Sequence, residues 1–147
     1  MYEHLLVPVD GGELSERAMT ASIELAKQLG ASITGFIAEP FTPPPASISD
    51  GYHFRTAVDR HDAEVEAHAQ KVMSRFEELS CEAGVPFRGV CTQSSKVDDA
   101  ILEAAEEHHC DMIVMIKRDL GAFGDVIWGS HTKRLMSRTK LPVLVLH

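Results

Sequence analysis

Short apolar runs alternate with helical stripes along the whole of this chain, and few folds accept that order. Leu5–Val9 is a strand-like run that ends in the turn Asp10-Gly11-Gly12. Leu14, Ala18, Ala21, Leu25, Ala26 and Leu29 then recur at three- and four-residue spacing, the stripe of an amphipathic helix. Ser15 is placed to cap that helix and Gly30 to end it. Ala31–Ala38 reads as a second strand. A second helix is expected over roughly Asp59 to Cys81, with Val65, Ala69, Val72, Met73, Phe76 and Leu79 on one face and Gly84 at its end. Val85–Thr92 is a third strand. Ser94 or Ser95 then caps a third helix with Val97, Ile101, Leu102 and Ala105 inward. Met112–Ile116 is nearly all apolar, as in a strand buried on both faces. A helix from near Gly129-Ser130 to about Arg138 and a strand at Leu141–Leu146 close the series. Alternation of this kind calls for parallel strands joined by right-handed crossovers, an open doubly wound α/β sheet.

One segment interrupts the pattern. Pro40 and Pro43 to Pro45 remove donors and fix φ, so Pro40 to about Thr56 is expected to be a long surface loop. The 147 residues, 44% hydrophobic and 24% charged, suit one domain, with no linker to divide it. No apolar run approaches the roughly 20 residues of a bilayer span, and the start lacks a basic, cleavable signal; a cytoplasmic location is expected.

Charge and cysteine content remove further classes. Lys and Arg number 14 against 22 Asp and Glu, a net charge of −8 that repels phosphate backbones, so nucleic acid is not an expected partner. The one basic concentration is C-terminal: Lys117, Arg118, Lys133, Arg134, Arg138 and Lys140. Three cysteines, Cys81, Cys91 and Cys110, show no paired spacing; they read as small buried thiols. Eight histidines raise a metal site, but His61, Glu64 and His68 are spread over two helical turns, and adjacent His108 and His109 point to different faces. No metal is expected. A nucleophile elbow is absent, and a receiver-type phosphoacceptor would need paired acids after the first strand, where Asp10 stands alone.

In an open α/β sheet, ligands bind beyond the carboxyl ends of the strands where strand order reverses. That directs attention to Pro8–Gly12, Ile37–Pro40, Met115–Gly129 and the start of the last helix. Here the chain resembles the universal stress protein family. The likeness lies in Leu5-Leu-Val-Pro-Val-Asp-Gly-Gly-Glu-Leu-Ser-Glu-Arg-Ala18, in Glu103-Ala-Ala-Glu-Glu107 with Cys110-Asp-Met-Ile-Val-Met115, and in Gly129-Ser130 with Leu141-Pro-Val-Leu-Val145. The resemblance implies a flavodoxin-like sheet in strand order 3-2-1-4-5 and a homodimer. It also accounts for Pro8, out of place in a central strand, as the residue at the strand's end beside the ligand cleft.

Many members of that family bind ATP through a Gly-x2-Gly-x9-Gly-Ser/Thr loop after the fourth strand, whose glycines let the backbone approach the phosphates. On this chain the first two glycine positions fall on Ile116 and Asp119, and the rest on Gly129 and Ser130. Ile116 adds a branched side chain. Asp119 adds a negative charge, and two like charges ~4 Å apart repel by about 4 kcal/mol at surface-like dielectric. Lys117, Arg118, Gly121 and Gly124 are the local groups that could compensate. The resemblance places an adenine-nucleotide cleft at Pro8, Val9, Asp10, Ala38, Met115, Gly129, Ser130 and His131. Asp10 either reaches the nucleoside end of such a ligand or turns the chain at Gly11-Gly12. The expectation is a stress-response binding and regulatory module without tight ATP binding, with no required cofactor. It dimerises through its C-terminal strand and has room for a regulatory protein partner. The alternative is an ATP- or AMP-binding member with weak ATP hydrolase activity in the same cleft.

Overall fold

The computed structural model describes residues 1–9, 15–39, 51–94, 96–116 and 133–146, with side chains omitted for 15, 39, 51–66 and 116. Among the described residues five strands and four helices follow in order: β1 (His4–Pro8), α1 (Ser15–Leu29), β2 (Ser32–Glu39), α2 (Gly51–Ala83), β3 (Phe87–Gln93), α3 (Val97–Glu107), β4 (Met112–Ile116), α4 (133–138) and β5 (Val143–Leu146). All four strand pairings are parallel, and the sheet runs β3-β2-β1-β4-β5. This is the fold class and strand order expected from the sequence.

The pleat sorts the core. Leu5, Val7, Val9, Ile33 and Ile37 face one side and pack with Met19, Ile23, Met73 and Phe76 of α1 and α2. Leu6, Phe36, Ile113 and Met115 face the other and pack with Ile101 and Ala105 of α3 and Leu135 of α4. Gly35 is needed on the first face: a Cβ there would sit 2.8 Å from the Phe87 ring, which itself stacks on Phe76 at 4.8 Å.

Several expectations need correction. Helix α2 begins at Gly51 instead of near Asp59, so the loop expected from Pro40 to about Thr56 does not extend past residue 50. The last proline of this segment is Pro45, and no proline between it and Gly51 or within α2 forbids helix. Residues 40–50 of that loop lie outside the described residues. In α1 the buried arc is Ala18, Met19, Ser22, Ile23 and Ala26, whereas Ala21 and Leu29 are exposed; a hydrophobic count passes over a serine on the inner face. Only Cys110 is buried; Cys81 lies on the outer side of α2 and Cys91 on the outermost strand, both exposed. The cap of α3 is Lys96, with no side-chain bond. Ser94 Oγ instead accepts the Lys96 N–H at 3.1 Å, and Ser95 lies outside the described residues.

The three long helices end alike. At Gly30 (φ 67°) and Gly84 (φ 74°) the chain turns left-handed. Ala31 N–H reaches back to Ala26 O at 2.8 Å, and Val85 N–H to Ser80 O at 2.9 Å. After α3 the same turn is made by His109 (φ 54°), with Cys110 N–H donating to Ala105 O at 2.9 Å. An L side chain in that region costs roughly 1–2 kcal/mol, part of which glycine returns through its looser unfolded state. His109→Gly is therefore expected to raise stability by about 1 kcal/mol, read as a higher urea midpoint with an unchanged slope.

Candidate functional site

Strand order reverses at β1: the chain builds β2 and β3 on one side of it, then crosses to build β4 and β5 on the other. The hydrogen bonds of β1 show what happens at that line. Glu3 O and Val9 N–H bond to β2, through Ser32 N–H at 2.9 Å and Phe36 O at 2.8 Å. His4 O faces the other way and accepts Asp111 N–H at 2.9 Å, on the approach to β4. Alternation then points the Pro8 nitrogen at β4, where proline has no hydrogen to give. Pairing between β1 and β4 stops at Leu5↔Met112 and Leu6↔Ile113, whereas pairing with β2 continues to Pro8↔Phe36. The proline in a central strand is thus tolerated because its missing donor falls where the two strands part.

The residues expected to form the cleft divide by position. Pro8 ends β1 and Val9 follows it, Ala38 is next to last in β2, and Met115 is next to last in β4; all four share the carboxyl edge of the sheet. Val9 is 8% exposed and belongs to the α1/α2 face, and Met115 is 1% exposed and belongs to the α3/α4 face. Ile116 closes β4 and still pairs with Leu146. Asp10, Lys117, Arg118, Asp119, Gly121, Gly124, Gly129, Ser130 and His131 lie outside the described residues.

At the amino edge stands a polar network that hydrophobic patterning does not reveal. The Asp111 carboxylate accepts two successive backbone N–H groups, Glu3 at 2.8 Å and His4 at 3.1 Å, and ties the start of β1 to that of β4. His4 Nε2 lies 2.7 Å from Oγ1 of Thr34, a fully buried hydroxyl that also bonds the Cys110 thiol. Burial pushes the Cys110 thiol up, against the smaller pull of Thr34, so it is a poor nucleophile. Of the histidine groups weighed as ligands, His68 is exposed on α2, and the side chains of His61 and Glu64 are not described. Among the described residues no three His, Cys, Asp or Glu side chains converge on a metal-sized site.

Comparison with known proteins fits this geometry. The model of the universal stress protein family matches residues 1–147. The chain belongs to the universal stress protein family. The "universal stress protein in QAH/OAS sulfhydrylase 3′ region" of Thermus aquaticus is 27% identical over 150 residues, covering 99% of both chains. The universal stress protein UspA of Lactobacillus plantarum superposes with a TM-score of 0.77 at 20% identity, over 99% of this chain and 98% of that one. A universal stress protein solved in complex with cAMP superposes at 0.70 with 19% identity, over 99% and 97%.

The His4 ring predicts a pH response. Burial holds its pKa below the ordinary 6.5, with His108, Arg88 and His109 adding to the lowering and Asp111 opposing it. Because the folded pKa is the lower one, the unfolded chain takes up the proton first as pH falls. Stability is therefore lost progressively below about pH 6.5 and levels off below the folded pKa. Urea midpoints at pH 7.5 and pH 5 should fall farther in the wild type than in His4→Gln.

Proposed function

We propose that this universal stress protein is a cytoplasmic binding and regulatory module. Its crevice at the β1/β4 reversal accepts the nucleoside end of an adenine nucleotide without tight phosphate recognition. The pairing of Ile116 with Leu146 carries the reading: β4 remains in the ladder at the position where ATP-binding relatives open a glycine loop. Asp119 then sets a negative charge at the second glycine position. The solved relative bound to cAMP supports adenine nucleotide as the ligand class. Among the described residues no helix is long and apolar enough to cross a membrane.

ATP is expected to bind no tighter than about 100 μM, several kcal/mol short of a tight site. Calorimetry tests this directly, and Ile116→Gly with Asp119→Gly should tighten binding. Low-micromolar, magnesium-dependent ATP binding by the unchanged chain would overturn the reading in favour of an ATP-using member.

A homodimer through β5 is the assembly we propose. Ile113 N–H donates to Pro142 O at 3.0 Å, so Leu144 and Leu146 also direct their backbone groups toward β4. Val143 and Val145 then offer donors and acceptors along the free edge of the sheet. All four β5 residues are half-buried, an apolar edge that pairing with a second copy would cover. Val145→Pro removes an edge donor and adds no charge to the core. It should give a folded monomer of half the wild-type mass in light scattering; a monomeric wild type at micromolar concentration would rule the interface out.

A further inference from the structure

On the α3/α4 face, away from the β1/β4 crevice, lies a cleft of about 760 Å³ between α3 and the connection from α4 to β5. It is within the size range of small-molecule sites. Its floor is apolar, formed by Ala105, the buried Cys110 and half-buried Leu141. One wall is acidic, with Glu103 and Glu106 on α3; the opposite wall carries Lys140. All three are exposed, and among the described residues none has a salt-bridge partner. The walls are braced by the ion pair between Arg138 of α4 and Asp99 of α3, which takes those two charges out of play.

From this arrangement we infer that the cleft is a second binding site, for a short zwitterionic peptide with aliphatic side chains. Opposite charges facing across an apolar floor favour a ligand with an ammonium at one end, a carboxylate at the other and an apolar body between. With Arg138 and Asp99 paired, two carboxylates against one ammonium leave the lining net negative, so a nucleotide or other polyanion is repelled. A polyamine would set one of its charges against Lys140. A single aliphatic amino acid fills only a fraction of the volume, and a dipeptide separates its charges farther. This inference does not rest on the nucleotide reading, since the cleft shares no residue with the crevice.

Leucyl-leucine is the probe, titrated into the full chain and followed by amide chemical shifts, alongside its N-acetyl and C-terminal amide forms. Each blocked form should bind about fivefold more weakly, the loss of one exposed charge contact. Lys140→Gln should weaken leucyl-leucine and erase the preference for the free carboxylate while keeping that for the free amine. The pair Glu103→Gln and Glu106→Gln should do the reverse. Circular dichroism of each variant, changed only at exposed residues, should match the wild type. No shift at ~10 mM dipeptide, or a blocking penalty unmoved by the matching variant, overturns the site.

Discussion

The hydrogen bond that Pro8 cannot give to β4 sets the carboxyl edge of this sheet apart from its amino edge. In a parallel sheet each central strand must satisfy a neighbour on both sides. β1 does so with β2 along its whole length, but with β4 only over Leu5 and Leu6. The helix layers still span both strands, since α3 packs on Leu6 of β1 and Ile113 of β4 together, so the separation is confined to the carboxyl edge beyond Leu6. Strand order and proline meet at that one line.

The two edges of the sheet do different work. At the amino edge Asp111, His4, Thr34 and Cys110 knit β1, β2 and the approach to β4 with side-chain bonds, and the start of the reversal is held shut. At the carboxyl edge the same two strands are held from their faces by buried Val9 and Met115 without a ladder bond between them. A closed amino edge lets the carboxyl edge stay open without loss of register.

Much of this was legible in the sequence, for identifiable reasons. Met112–Ile116 is apolar on both faces and matches β4 at both ends. Gly30 and Gly84 mark helix ends because only glycine adopts their backbone at low cost. His109 makes the third such turn with no glycine to announce it. The start of α2 was missed because composition blurs a boundary that only the prolines define, and Ser22 because burial of a hydroxyl leaves no hydrophobic trace. At the proposed site, the strand-end rule pointed to the right edge of the sheet, where Pro8, Val9, Ala38 and Met115, the cleft residues that the family resemblance implies, all lie. The cleft beside α3 was not, since its walls come from segments some thirty residues apart that no motif joins.

We propose that ligands bind at the carboxyl end of the β1/β4 reversal. An amide chemical-shift titration with adenosine tests it most directly, because it reads position independently of affinity. Shifts are expected to gather at Val9, Ala38 and Met115, with Glu3, Cys110 and Asp111 at the opposite edge unmoved. Shifts confined to the Glu3–Asp111 edge, or none at millimolar adenosine, would contradict it.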